Sequence, residues 1–578
     1  MTTRWSHFAF VFVFACTLPL LASGPTGTIT GTISDPKGAV LSKARIIVQN
    51  EDTNARREAN SNGDGDYTVA LLPPGLYRVS VESAGFRRSV IHGVNLNVDQ
   101  TVRVDFAMVV GAATEEVTVT DTPPIVQTDT STLGQVVNNR LVENLPLNQR
   151  NFLSFTLLAP GSELAAQGSE NSTEGGAINV NGAREQANNF LLDGVENNDT
   201  YLNQYAALPS IDAIEEFKVQ SGDYSAEFGG ASGAQINIVL KSGTNNFHGG
   251  VFEFVRNRTM DAKNYFDFPD CTATSEPGTC GPIPRLDRNQ FGGTLGGPIL
   301  RDKTFFFISD EQLRLRQAQT REATVPSVNQ WTSATELAEL LFGCPFNPSC
   351  GTGSNVEALY PAANVGSDLT NSNTFLAAPV IDESVNYVTA KVDEQANKND
   401  RLSIHYSLTQ DNRFSPYDLV NAFTSLPGYG SYTMNLGQST GIDWTRVIRS
   451  SVVNEFRLGY TRMRSTVLQQ SHGQNIETQL GFPDILTNPV DLGAPNINVI
   501  SFDGIGEPIN YPQERRDNTY QISDNVAWTV GENQFKMGGG FRRLQIGDYL
   551  DFLARGDWFF LGETAAGALS DGTSTTFH

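Results

Sequence analysis

Along much of this chain, apolar and polar residues alternate with the period of a β-strand. In "RLSIHYSLT", residues 401–409, Leu402, Ile404, Tyr406 and Leu408 fall on one face. Arg401, Ser403, His405, Ser407 and Thr409 fall on the other, which is the pattern of a half-buried strand. "NTYQISDNVAWTVGENQFKMGGGFRR", residues 518–543, reads as a hairpin turning at Gly531, Glu532 and Asn533. Tyr520, Ile522, Val526 and Trp528 continue after the turn as Phe535, Met537 and Phe541, opposite Gln521, Ser523, Asn525, Thr529, Lys536 and Arg542. A soluble sandwich alternates too, but strands this long with aromatics near their ends favour a lipid-facing sheet. At 248–257 Phe252 and Phe254 oppose Glu253, as a strand between lipid and a polar lumen requires.

The first part of the chain has a shorter rhythm. In 25–111, "GTITGTISDPKGAVLSKARIIVQNEDT" and "GDYTVALLPPGLYRVSVESAGF" set short β-branched strands between turn signals, the pattern of a small β-sandwich. Residues 112–125 form a linker closed by a double proline, and within it Glu115, Glu116, Val117, Thr118, Val119 and Thr120 make an extended stretch. That stretch is either a strand of the next domain or a free strand offered to a partner's sheet edge. Residues 126–243 read as a compact α+β unit. "LGQVVNNRLVENLPLNQRNFLSFTLLAPG" carries short helical spacing, followed by strands and a glycine-rich loop that ends in a turn at 241–246. Long polar inserts, near 266–286 and 316–383, separate some of the later strands.

Composition narrows the class. The net charge of −23 disfavours nucleic acid as a partner, since that needs a basic face. Residues 1–23 read as an export signal: Arg4 leads an apolar run at 8–21, and small residues follow at Ala22, Ser23 and Gly24. A retained anchor is the alternative, and the surroundings of Cys16 do not suit lipidation. The remaining cysteines form two close pairs, Cys271 with Cys280 and Cys344 with Cys350. In an exported chain such pairs point to two local disulfides. A zinc site is the rival, but no histidine lies near either pair. No later apolar run reaches the length of a membrane helix, which leaves a membrane β-barrel open.

Two sets of motifs carry a family resemblance. "GTISDPKGAVLSKA", "DGDY", "LLPPGLY" and "SAGF" resemble the carboxypeptidase regulatory-like domain, a prealbumin-like sandwich. Then "NLPLNQRNF", "NGAR", "NNFLLDGVENND", "IEEFKVQSGDYSAEFG" and "KSGTNNFHG" follow in order. Together they resemble the plug domain of TonB-dependent outer-membrane transporters, in the subclass with that sandwich in front. "FGGTLGGPILRDKTFFF" at 291–307 matches the same subclass. The resemblance implies a mainly β protein: sandwich at 25–111, α+β plug at 126–243, and from 244 to 578 the first part of a transmembrane antiparallel β-barrel. It implies an outer-membrane location and uptake of a scarce, unidentified solute. Its partners would be outer-membrane lipid and TonB with the inner-membrane energising complex, coupled through 115–120. Asn181, Arg184, Asp193, Asn197, Asn198 and Asp199 lie in plug motifs, where they either contact solute or pack the lumen. The inserts with the cysteine pairs would face outside the cell. About ten barrel strands are legible where such transporters close with about twenty-two, and "SDGTSTTFH" does not alternate. The expectation is a fragment or a truncated product, unable to close a barrel around its own plug.

Chemistry is sparse. No histidines stand at metal-ligand spacing, and no cofactor motif is present. "NGDGD" at 62–66 starts like a calcium loop but lacks the closing glutamate, and it suits a hairpin tip. "GQSTG" at 437–441 is a formal G-x-S-x-G, yet a strand pattern follows where a hydrolase needs a helix. Ser439 is therefore a poor nucleophile, and the expectation is no enzyme, no metal and no cofactor. The rival function is a surface adhesin or glycan-binding protein built on the sandwich.

Overall fold

A computed structural model describes residues 26–111, 116–119, 132–138, 150–165, 177–263, 283–330, 360–366, 368–417, 426–479, 488–499, 501–531 and 533–560, with a few isolated positions between. The two cysteine pairs, Glu115 and Thr120 lie outside the described residues.

The first domain contains β1 (Gly27–Ser34), β2 (Arg45–Asn50), β3 (Arg56–Asn60), β4 (Asp66–Leu72), β5 (Gly75–Glu82), β6 (Arg88–Leu96), β7 (Thr101–Arg103) and β8 (Phe106–Ala107). One sheet runs β4-β1-β7, with β8 also paired to β1; the other runs β3-β2-β5-β6 and continues to β9 (Glu116–Val119). Alternate residues such as Ile29, Ile46, Val79, Val81 and Leu96 fill the space between them. The 62–66 stretch is a hairpin tip: the Asn62 carboxamide oxygen accepts from the Asp64 and Asp66 amides at 2.9 and 2.8 Å.

The middle domain holds β10 (Leu133–Asn138), β11 (Ser162–Leu164), β12 (Ile178–Val180), β13 (Asn189–Leu192), β14 (Val195–Glu196), β15 (Ile214–Gly222) and β16 (Gln235–Leu240). Its main sheet runs β10-β15-β16-β13-β14. Two stretches with helical spacing resolve differently from that expectation. Residues 133–138 pair with β15 as a strand, and Phe152–Leu158 is a 3-10 turn capped by Asn151. Short apolar runs carry no decisive period, and here pairing with a neighbouring strand settled the first of them.

Among the described residues the last domain is a wall of nine antiparallel strands in chain order. They are β17 (His248–Asn257), β18 (Leu286–Leu300), β19 (Thr304–Ala318), β22 (Val380–Gln395), β23 (Asp400–Ser415), β24 (Ser431–Arg449), β25 (Val452–Gln469), β27 (Gln513–Val530) and β28 (Asn533–Leu550). Two small pairs lie between or beyond them: β20 (Arg321–Thr324) with β21 (Thr374–Ala377), and β26 (Asn496–Val499) with β29 (Asp557–Phe560). The wall is inside out relative to a soluble sheet. Ser407, Ser439, Thr389, Thr445, Glu455 and Arg457 are buried, while Ile404, Tyr406, Ile522 and Trp528 are exposed. Polar residues facing protein and apolar residues facing out is the arrangement of a sheet with lipid on its outer side.

Antiparallel order puts the turns at 301–303, 396–399, 450–451 and 531–532 at one end of the wall. The segments 258–285, 319–379, 416–430 and 470–512 are at the other. Among the described residues the long-segment end has a core of its own, including Val325, Leu426, Ile497 and Ile505. There the buried Glu507 carboxylate accepts from the Ser471 and Ala494 amides at 2.6 and 2.9 Å. Burial raises its pKa. Arg555 donates to the carbonyls of Tyr511 and Pro508, both at 2.7 Å.

Candidate functional site

The feature with the most buried chemistry is the seam between the middle domain and the polar face of the wall. Inward positions of the wall strands are small where the middle domain comes closest. A Cβ on Gly437 would stand 1.7 Å from the Ala206 carbonyl, and one on Gly441 would stand 2.7 Å from a Val195 methyl. The G-x-S-x-G of β24 is thus a strand with its small side chains turned inward, and Ser439 between the glycines is fully buried. No strand-to-helix elbow exists there, since β24 continues to Arg449.

Ion pairs and hydrogen bonds cross the seam. The Lys391 ammonium stands 2.9 Å from the Asp193 carboxylate, both nearly out of water, and donates to the Leu240 carbonyl at 3.1 Å. Arg515 reaches Asp199 at 2.6 Å and lies over the Tyr201 ring at 4.8 Å. Arg542 meets Glu196 at 2.9 Å, and Gln521 accepts from the Glu196 amide at 3.0 Å. The Thr409 hydroxyl accepts from the Leu208 amide and donates to the Leu208 carbonyl, at 2.8 Å each. Arg457, fully buried, pairs with Asp443 at 2.7 Å and donates to the Gly194 carbonyl at 3.4 Å. The Asp193–Lys391 and Asp443–Arg457 pairs are desolvated, and removing either partner leaves a buried charge behind.

The six motif residues divide by environment. Asn197 closes the 197–207 turn, donating to the Ala207 carbonyl at 2.6 Å and accepting from its amide at 3.0 Å. Asn198 accepts from the Phe190 amide at 2.8 Å and donates to Asn203 at 2.8 Å. Asp193 and Asp199 reach the wall as described. Asn181, left-handed at φ 53°, donates to the Ser221 carbonyl. Arg184 is exposed. Sequence reasoning did not find the wall-side partners, Lys391, Arg457, Arg515 and Arg542. Each is an inward residue of an alternating strand, and that position was the available signal.

Arg150 overturns one detail of the strand reading. Phe252 and Phe254 do oppose Glu253, but the aromatic pair is the inner one. The Arg150 guanidinium lies 4.7 and 4.6 Å from their ring centroids, while it also pairs with Asp212 at 2.5 Å and approaches Glu311 at 3.5 Å. Cation–π attraction to a partly desolvated arginine keeps the two rings on the inner face.

The junction at 241–246 passes between the domains. Gly243 is squeezed against backbone, since a Cβ there would lie 2.3 Å from the Phe306 carbonyl oxygen. Asn245 and Asn54 both donate to Asp302 at 2.8 Å, which ties the first domain to a short turn of the wall. His248 is exposed and its ring lies 3.1 Å from the Asn246 carbonyl, a turn contact. Nearby a cavity of about 180 Å³ is lined by all three domains, among them Tyr77, Asp193, Lys391, Arg401 and His405.

The first domain also docks on the middle one. The Val98 amide donates to the buried Glu216 carboxylate, and Lys218 donates to the Val98 and Asp99 carbonyls at 3.2 and 2.9 Å. Burial pushes the Glu216 carboxyl up to about 8 and lowers Lys218. Glu216 is buried and its neighbour Glu215 is half-buried.

The family matches agree with this architecture. Residues 28–109 match the carboxypeptidase regulatory-like domain. Over 312 residues the chain is 28% identical to the TonB-dependent transporter Oar of Myxococcus xanthus, covering 52% of this chain and 28% of that protein. The chain thus spans less than a third of the length of that relative. Among solved structures, the outer membrane transporter YddB from Escherichia coli aligns with a TM-score of 0.45 at 11% identity, over 72% of this chain and 48% of that one. The siderophore receptor PirA from Acinetobacter baumannii aligns with a TM-score of 0.35 at 14% identity, over 72% and 54%. Residues 239–577, more than half of the chain and including every strand of the wall, match the family described as the outer membrane beta barrel domain; the chain belongs to that family and carries a carboxypeptidase regulatory-like domain in front of it.

Proposed function

We propose that this chain works in active uptake of a scarce solute across the outer membrane, energised through TonB and the inner-membrane complex, with no chemistry of its own. The observation that carries the reading is the seam. A separate domain lies against the polar face of a lipid-type wall and is tied to it by discrete pairs, Asp193 with Lys391 and Asp199 with Arg515. Such a domain is a plug, and pulling on it breaks a set of discrete polar contacts together with the packing of Phe307 and Tyr387 against its core. The long segments at one end of the wall capture solute outside the cell, since such barrels keep short turns on the periplasmic side. Of the six motif residues, Arg184 is the exposed cation available to solute, and Asp193, Asn197, Asn198 and Asp199 hold the plug. TonB engages the segment 115–120, which contains the strand Glu116–Val119. The relative Oar, named as a TonB-dependent transporter, supports the same reading. An adhesin fits less well, because the sandwich contacts a short turn through Asn54 and Asp302, at the periplasmic end.

Growth on single scarce nutrients, with and without this gene and with TonB disabled, tests the proposal. Loss of growth on the same nutrient in both backgrounds is expected. Uptake that persists without TonB, together with no binding of the TonB periplasmic domain to the purified chain, would sink it.

A further inference from the structure

The sheet order of the first domain ends in a strand that does not belong to it. β9 (Glu116–Val119) adds to the edge of β6 in parallel, with Arg88, Ser89, Val90 and Ile91 opposite Glu116, Val117, Thr118 and Val119. The match to the carboxypeptidase regulatory-like domain stops at residue 109, so the sandwich is complete as a domain before β9 begins. Without β9, β6 would present a row of unpaired backbone groups, a template for any extended segment. Glu-Val-Thr-Val, rich in β-branched residues, is such a segment. The chain is led there by the Arg87 amide, which donates to the Val109 carbonyl at 2.8 Å, and by the Gly111 amide, which donates to the Gly85 carbonyl at 3.2 Å.

We infer that the sandwich is a latch: the edge of β6 holds the energy-coupling strand by β-addition and withholds it from TonB until it is released. The inference rests on the reading of 115–120 as the coupling segment. A strand of four residues in a parallel ladder is a short and breakable attachment. While it holds, the backbone groups of β9 that face β6 are committed, and TonB, which would bind the same segment by strand addition, competes with the sandwich for it. The fraction of chains with β9 released then sets the apparent affinity for TonB. The sandwich gains a role as a regulator of engagement, beyond that of a spacer.

The register supplies the test. Ser89→Cys with Val117→Cys, placed in the full chain, puts two thiols on opposed residues of β6 and β9. The bridge should form on mild oxidation, and the Arg88→Cys with Val119→Cys pair, out of register, should not form one. The oxidised chain should bind the purified TonB periplasmic domain about tenfold or more weakly, as expected when the competent fraction is removed, and reductant should restore binding. Deleting 116–119 separates the two claims. If binding survives the deletion, the coupling reading of this segment fails. If the deletion abolishes binding but the bridged chain binds as well as the reduced one, or if no bridge forms, the latch is overturned.

Discussion

Asp193 adopts a left-handed backbone at φ 46° and carries its carboxylate almost wholly out of water, with the Lys391 ammonium at 2.9 Å and His405 at 3.8 Å. Its other oxygen accepts from the Leu240 amide at 3.0 Å. A charge in this position is stable only while its partner is present. Lys391→Met should therefore loosen the seam by about 3–5 kcal/mol, the usual result of stranding one member of a buried pair. Asp193→Asn keeps an acceptor for Leu240 and suits the left-handed backbone. Combined with Lys391→Met it should recover most of that loss. Urea midpoints followed by hydrogen exchange in the middle domain read both variants. Equal midpoints for the single and double variants would show that the pair does not hold the seam.

At the scale of elements, period two was legible wherever one face is lined by protein, and the wall strands at 400–415 and 513–530 follow it. Alternation alone does not say which face is inside. The aromatic pair Phe252 and Phe254 pointed outward by pattern, yet Arg150 holds them inward. Residues 133–138 carried helical spacing, and they are a strand because β15 offers an edge. The seam was legible only in part, because a partner such as Lys391 lies about 200 residues from Asp193 and no local pattern joins them. The docking of the first domain on β15 was equally invisible, since it depends on Glu216 meeting the Val98 amide. This contact should respond to pH. Burial raises the Glu216 carboxyl from 4.5 to about 8, with Glu215 and Asp99 adding to the effect and the Val98 hydrogen bond and Lys218 opposing it. Between those values the docked carboxyl keeps a proton that a released one has lost, so docking is linked to proton uptake. Docking should be tightest at acid pH and weaken as pH rises from about 4.5 through about 8. Glu216→Gln, neutral throughout, should flatten the dependence. Lys218, lowered by burial, acts with the opposite sign toward alkaline pH. Protease cleavage between the two domains, followed from pH 5 to 8, reads the change. A Glu216→Gln chain with an unchanged pH profile would remove Glu216 from the account.

For the whole molecule, the two ends of the wall differ in construction, and that difference fixes a direction. One end has short turns, such as 301–303 and 531–532, and Asp302 there is bound by Asn54 of the sandwich and Asn245 of the junction. The other end carries the long segments, packed around Val325, Leu426, Ile497 and Ile505. In outer-membrane barrels short turns face the periplasm and long loops face outward, so the proposed transporter has its sandwich inside and its packed long segments outside. An epitope inserted beside Asn371, in the exposed 368–371 turn, should be labelled on intact cells. Epitopes beside Gly38, at an exposed sandwich turn, and beside Lys303 should be labelled only after the outer membrane is opened. The pattern is a strict pair of outcomes, because the antiparallel order leaves no strand free to reverse on its own. Labelling of Gly38 on intact cells would place the sandwich at the cell surface, and with it the coupling strand out of reach of TonB. That result would favour an adhesin over a transporter.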